Sequence, residues 1–372
     1  MRRPAWPSVP ADIGICNVLI YLSEVTDNMV LCIRVPKHDA ETVRSRLISS
    51  GLLNTDAKIK AEEDSILIPI LSDHFDGYDV IDADLEPTER KETDYRNVAD
   101  VPAELKELLP NSYDVIGDVA VVKFPDEIVP YASAAGNALL ETSSSLRAVM
   151  MDLGVKGELR VRDIRMIAGT GTSETVHKEF GVSMMVDPAK AYFNPRLSTE
   201  RKRIASLVKD GETIIDMFAG VAPFPLVIAK HSRPSVIYSI DLNEDAFESM
   251  KKNIGLNKFV NIIPMCGDSS VIIKGLPPAD RIIMNLPQTA DAFLGDALSN
   301  LKKDGVIHMH KIMERASLDG MVSGLIEDMG IKGHDIYVDR TIELKTYSPT
   351  MSVYVLDIVK GCHFLGDSVT PV

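Results

Sequence analysis

Apolar residues change their spacing several times along this chain, and each change predicts a different element. Met29–Val35 form a short apolar, β-branched run that predicts a strand. Pro36 then opens an expected helix that puts Ala40, Val43, Leu47 and Ile48 on one face, and Gly51 stops it. Ser65–Leu71 predicts a second strand, so residues 1–71 read as a small α/β domain. The patterned part, roughly 45 residues, is near the lower limit for independent stability. Ile13–Leu22 also predicts a buried strand. Although Arg2 and Arg3 precede it as in a secretory leader, Pro4, Pro7, Pro10 and Asp12 intervene, and no small-residue cleavage site follows.

The pattern is lost over residues 72–100. SDHFDGYDVIDADLEPTERKETDYRNVAD is acidic and poor in core residues, which predicts a hinged or poorly ordered linker. Residues 101–195 read as a mixed α/β, RNA-binding region. Strands are expected within Tyr113–Phe124, a helix over Ile128–Arg147, and further strands over Gly157–Ala168 and Glu174–Val186. Gly169, Thr170 and Gly171 mark a turn consistent with a hairpin between the last two. From 196 to 372 strands and helices alternate as in a doubly wound parallel sheet. The expected strands are Thr213–Met217, Val236–Ile240, Ile262–Met265, Arg281–Met284 and Gly305–Met309. Ile336–Leu344 and Ser352–Val359, joined by a short loop containing Pro349, predict a closing antiparallel hairpin. A class I methyltransferase-type sheet has that hairpin, whereas a nicotinamide-binding domain lacks it. The fold class is therefore α/β, with this sheet, the mixed region and the small N-terminal domain.

Composition narrows the function classes. With 372 residues, two or three domains are expected, and 45% apolar against 25% charged residues is ordinary for a globular chain. No run of eighteen apolar residues occurs, so no membrane span is expected. Cys16, Cys32, Cys266 and Cys362 form no C-x-x-C pair and the histidines do not cluster. Free thiols in a reducing cytoplasm and no protein-bound metal are expected. A net charge of −14 argues against a nucleic-acid partner. However, Lys156–Lys209 holds 11 Lys and Arg against 6 Asp and Glu, enough for one basic face on an acidic protein.

The strand at 213–217 runs into Phe218-Ala219-Gly220-Val221-Ala222-Pro223-Phe224. This small-residue turn lies where ligands bind in open α/β sheets. It lacks G-x-G-x-x-G, and Pro223 removes an amide that a pyrophosphate would need. S-adenosylmethionine carries an amino acid in place of phosphates and suits such a loop, with Phe218 and Gly220 as cofactor contacts. Asp241, followed by Leu242, ends the second strand and can accept both ribose hydroxyls. Asp268, followed by Ser269, ends the third and can take the adenine amino group. Asp216 at the end of the first completes three strand-end acids in register. Asn285, with Pro287 shortly after it, holds an amide at the mouth of the sheet beside the methyl donor. Enzymes that methylate exocyclic base nitrogens continue with Pro-Pro-aromatic. Here Gln288 takes the aromatic position, so an aromatic base sandwich must come from elsewhere, and a ring nitrogen becomes a candidate target.

The motifs YFNPRLSTER (192–201), DMFAGVAPF, IDLN, GD and NLP occur in that order after an upstream GELRVRDIRMIAG. Together with the N-terminal CIRVPK and VRSRLISSGLL, this series resembles the archaeal and eukaryotic tRNA (guanine-37 N1) methyltransferases over most of the chain. Ala222 stands where that family usually has glycine. The resemblance implies that Glu200 is the general base for the guanine N1 proton and that Arg160 stabilises charge on O6, with Arg162 as the alternative. It also implies that Asn285 bonds the guanine edge, Tyr192 stacks on the base and Arg201 reaches the cofactor carboxylate. Arg196 would face phosphate or cofactor. The expected partner is tRNA, bound by a cytoplasmic monomer whose N-terminal module contacts a distant part of the folded RNA. Four other readings remain open: a bifunctional relative that also methylates a tricyclic wyosine-type guanine, a transferase of the aminocarboxypropyl group, a catalytically silent RNA-binding module, and a small-molecule or protein methyltransferase, against which the N-terminal module and the local basic segment count.

Overall fold

The computed structural model describes residues 29–88, 92–157, 159 and 161–361. The strand expected at Ile13–Leu22 lies outside them. The chain divides into two compact units, Met1–Lys91 and Glu92–Val372.

The first unit contains strand β1 (Met29–Pro36), helix α1 (Ala40–Ser49) and strands β2 (Lys60–Ala61), β3 (Ser65–Pro69) and β4 (Val80–Asp84). They make an antiparallel sheet in the order β2-β3-β1-β4. Pro36 ends β1 and does not open the helix, which starts at Ala40. Val43 and Leu47 of α1 pack on Ile33, Val35 and Ile68, while Cys32, Leu67 and Leu85 fill the other face.

Most of the described part of 72–100 is built into one unit or the other, and the boundary between the units falls inside it. β4 pairs along β1 from Met29↔Asp84 to Ile33↔Val80, so the first unit extends well past residue 71. Ile81, Ala83 and Leu85 alternate with acidic Asp82 and Asp84, the period-2 pattern of a strand with one wet face. Averaged over the whole acidic stretch, that short alternation disappears. The far end of the segment belongs to the second unit, where Asp94 caps helix α2 (Tyr95–Val98) by accepting from the Arg96 amide. Tyr95 and Ala99 are buried there in the core.

The second unit begins with β5 (Asp114–Ile116), β6 (Val119–Val122), α3 (Ala132–Thr142), β7 (Ala148–Lys156) and β8 (Val161–Gly169). These strands form a sheet in the order β5-β6-β7-β8. The helix stops at Thr142, short of Arg147, because Ser143, Ser144 and Ser145 follow, residues that compete with helical hydrogen bonding. Ala148–Met151, four consecutive buried residues, instead make a central strand. The expected hairpin across Gly169–Gly171 does not form either. β8 pairs with β7, whereas β9 (Thr175–Glu179) and β10 (Val182–Val186) make their own two-stranded sheet. Arg147 holds the crossing between the sheets, donating to the Asp118 carboxylate and to the carbonyls of Thr170, Thr172 and Glu174.

The rest of the second unit alternates regularly. Its elements are α4 (Ser198–Leu207), β11 (Thr213–Asp216), α5 (Pro223–His231), β12 (Val236–Asp241), α6 (Glu244–Asn257) and β13 (Ile262–Cys266). They continue with α7 (Ser269–Ile272), β14 (Ala279–Met284), α8 (Leu294–Ser299), β15 (Leu301–Glu314), α9 (Leu318–Ile331), β16 (Ile336–Thr346) and β17 (Met351–Lys360). The sheet order is β13-β12-β11-β14-β15-β17-β16. β13 to β15 are parallel, and β17 runs antiparallel between β15 and β16. This is the doubly wound sheet with closing hairpin that the pattern implied. β10 is tied to it through α6, since Asn253 bonds both backbone groups of Met185 and Asn257 those of Ser183. The strand order reverses at β11, so the loops after β11, β12 and β14 converge on one crevice.

Candidate active site

That crevice is a cavity of about 820 Å³. The turn after β11 forms its floor. Gly220 adopts a positive φ of 56°, and an added Cβ would lie 3.4 Å from the Tyr192 carbonyl. Ala222 also sits in the left-handed region, at φ 69°, directly before Pro223 at the start of α5. A side chain there costs roughly 1–2 kcal/mol relative to glycine. The turn is fixed by Asp241 at the end of β12. Its Oδ2 accepts from the Gly220 amide at 2.6 Å and its Oδ1 from the Asn243 amide at 2.9 Å. Burial pushes the Asp241 carboxyl above its ordinary range, and the two amides pull it back. Asn243 donates in turn to the Lys190 carbonyl at 2.7 Å, anchoring the segment that leads to Tyr192.

Most of the residues selected from the sequence meet in this wall. Phe218, Gly220, Asp241, Leu242, Asp268 and Ser269 line it, and so do Tyr192, Arg201, Asn285 and Pro287. Phe218 packs edge-on against Phe293, with centroids 5.1 Å apart, which adds an aromatic the sequence reading missed. Asp268 accepts from the amide and the hydroxyl of Ser270, both at 2.8 Å. The Pro287 carbonyl accepts from the Ile312 amide on β15 at 2.8 Å, which pins the loop that carries Asn285.

Other selected residues lie elsewhere. Asp216 does not line the cavity and is fully buried. Its Oδ1 accepts from the Phe218 amide at 3.3 Å, while Oδ2 has no partner. Burial, with the nearby Asp241 charge adding to it, pushes its pKa up to about 8. It is thus a neutral acid that shapes the loop. Because the folded pKa is raised, its stabilising contribution is complete below about pH 4 and is lost as pH rises through 8. An Asp216→Asn variant is expected to gain thermal stability over the wild type progressively from pH 5 to pH 9. Parallel melting curves across that range would refute this account.

Arg162 and Arg196 converge on Asp114, each at 2.7 Å, and neither lines the cavity. Arg160 lies outside the described residues. Arg201 is in the wall, but its guanidinium is engaged: it grips both oxygens of Glu179 on β9, donates to the Asn194 carbonyl at 3.1 Å and packs over Phe193. A contact with a cofactor carboxylate would have to use its remaining N–H groups.

Glu200 lies on α4 between two wall residues, Leu197 and Arg201, but is itself buried and outside the lining. Both of its oxygens accept from Arg203, at 2.7 and 2.8 Å. Arg203 also grips Asp357 on β17, at 2.8 and 3.0 Å. Asp357 lies 2.6 Å from His308 Nδ1, and His308 Nε2 lies 2.6 Å from Arg281. Arg281 finally pairs with Glu212 at 2.9 Å. Arginine can only donate, so His308 Nε2 is the acceptor and its Nδ1–H donates to Asp357. That is a neutral imidazole, in keeping with burial lowering its pKa. Burial raises the Glu200 carboxyl, with Arg203 opposing it. Asp357 is held low despite its burial, by hydrogen bonds from His308 and Arg203. Arg203, three residues after Glu200, could have been paired with it on helical spacing alone. Asp357 and His308 could not, because only the sheet brings them near.

Among the described residues no helix is long and apolar enough to cross a membrane, and no cluster of metal-ligating side chains occurs. Comparison with known proteins adds the lineage of this geometry. A family model described as the TRM5/TYW2 methyltransferase domain matches residues 175–330, and one for the tRNA methyltransferase 5 N-terminal domain matches 32–79. A TYW2 N-terminal domain model matches 98–172. The tRNA (guanine(37)-N(1))-methyltransferase Trm5b of Pyrococcus abyssi is 41% identical over 76% of this chain and 84% of its own length. The chain belongs to the TRM5/TYW2 methyltransferase family. The crystal structure of Pyrococcus abyssi Trm5b superimposes with a TM-score of 0.72 at 37% identity, covering 89% of this chain and 99% of that one. A complex of aTrm5 with tRNALeu gives 0.67 at 32% identity, covering 88% and 99%. The family match begins at Thr175, so β9 and β10 fall within the TRM5/TYW2 methyltransferase domain, in keeping with their attachment to α6. The seven-stranded sheet is accordingly a class I methyltransferase fold.

Proposed function

We propose that this chain transfers a methyl group from S-adenosylmethionine to N1 of guanine 37 in tRNA. The observation that carries the reading is the joint presence, in one cavity, of Asp241, the loop at Phe218–Gly220 and Asn285-Leu286-Pro287. The kinship with Trm5b of Pyrococcus abyssi supports it. The donor set fits the cofactor. Each Asp241 oxygen accepts one amide and keeps a lone pair for a ribose hydroxyl. Phe218 and Phe293 supply apolar surface for adenine, and Asp268 and Ser269 offer polar groups for its edge. When bound, the cofactor supplies a methyl group on a sulfonium centre, ready for attack by a nucleophile.

The protein's own task is to make guanine N1 that nucleophile. N1 carries a proton that must leave as the N–C bond forms, and we assign its removal to Glu200, which lies just behind the wall beside Leu197 and Arg201 and has to come into reach when the base binds. With both oxygens held by Arg203, the carboxylate cannot rotate, and each oxygen retains a lone pair for the incoming proton. Deprotonation builds negative charge on O6, which Arg160 stabilises in this reading. Asn285 holds the base edge and Tyr192 gives it a stacking face.

The test is methyl transfer to unmodified tRNA transcripts, followed by nucleoside mass analysis. The expected product is N1-methylguanosine at position 37, absent when that position carries adenosine. A methylated base at any other position, or transfer of a heavier group, would overturn the assignment.

A further inference from the structure

Gln288 lines the cavity where a second aromatic face for the target base was missing from the sequence, and Tyr192 supplies only one. A second tyrosine reaches the same cavity from far along the chain. Tyr347, just past the end of β16, is part of the wall yet 53% exposed. Its loop is tightly held. The amides of Tyr347 and Ser348 both donate to the Met351 carbonyl, at 2.8 and 3.0 Å. Arg315 clamps the turn from below, donating to the carbonyls of Ser348 and Pro349 and to the Ser352 hydroxyl. An exposed aromatic on a fixed loop presents a flat apolar face without an ordering cost on binding.

The surroundings have the character of an RNA entrance. Lys345, two residues earlier, lies in the field of Arg196, Arg162 and Asp114; Arg162 also reaches Asp152, so three cations share two carboxylates. Val155 and Leu159, both about half exposed, line the same cavity. Aromatic and apolar surface beside clustered cations is the combination that single-stranded nucleic acid uses: bases stack while phosphates meet positive charge.

We propose that Tyr347 is a stacking residue for the guanine that enters the cavity, the partner of Tyr192, with Lys345 and Arg196 taking the charge of the flanking phosphates. This rests on the reading of the cavity as a site for RNA methylation. The test compares full-length wild type, Tyr347→Phe, Tyr347→Leu and Tyr347→Ala in methyl transfer to a guanine-37 tRNA transcript, with S-adenosylmethionine affinity measured by calorimetry. The expected result for Ala and Leu is a loss of roughly ten- to a hundred-fold in kcat/KM for tRNA. Phe should stay within a few-fold, and cofactor affinity should hold throughout. A transcript with 2-aminopurine at position 37 gives a second readout: its fluorescence should be quenched by wild type and Phe and much less by Ala. Wild-type rates for Ala, or a Leu variant as good as Phe, would overturn the stacking role and leave the methyltransferase reading intact. A wild-type chain that methylates no guanine-37 tRNA would overturn both.

Discussion

Replacing Glu200 by glutamine is expected to slow single-turnover methyl transfer by roughly 10²- to 10⁴-fold, with cofactor affinity nearly unchanged. The amide keeps the size of the side chain and one acceptor toward Arg203, but cannot take a proton from N1. The pH dependence gives an independent reading. With Glu200 as the base, transfer should require the ionised carboxylate, so the rate is expected to rise with pH through the Glu200 pKa, which burial places above the usual carboxylate range. Arg203 pulls that pKa down through two hydrogen bonds and its charge. An Arg203→Gln variant should therefore carry the acid limb of the profile to higher pH. Full activity in Glu200→Gln would assign proton removal to another group or to water. An unmoved limb in Arg203→Gln would show that some other titration controls the rate.

The second large effect concerns stability. Asp357→Ala is expected to cost about 3–5 kcal/mol, because it leaves Arg203 without one carboxylate and the buried His308 without its acceptor. The Asp357 pKa is depressed in the folded state, so its contribution is present above the unfolded value near 4 and is lost as pH falls through the lower folded value. The gap between wild type and variant, measured by denaturant titration, should thus be full at pH 7 and narrow well below pH 4. A loss under 1 kcal/mol at pH 7 would mean that the array from Glu200 to Glu212 is not cooperative.

How much of this was legible beforehand depends on the range of the interaction. The five parallel strands could be read from sequence because each holds a short, mostly apolar run, several of them followed by a polar residue at the ligand side, such as Asp241 or Asn285. β4 and β7 could not, for opposite reasons. β4 hides its alternation inside an acidic stretch, while β7 is an apolar run that follows a helix and carries no period of its own to separate it. Among site residues, those on the loops after β11, β12 and β14 were readable because topology alone brings such loops together. The pairing of Arg162 and Arg196 with one Asp114 was not, since three sequence-distant segments must first fold. Tyr347 left no local signal either: a tyrosine in a hairpin loop looks like any surface residue until the hairpin is placed beside the cavity.

β17 lies between β15 and β16, although it follows both in the chain. Among the described residues β16 pairs only with β17, so its one neighbour in the sheet comes later in the chain. That late strand also carries Asp357, the anchor of Arg203. The turn after β11 is therefore synthesised well before the strand that anchors Arg203 and, through it, Glu200.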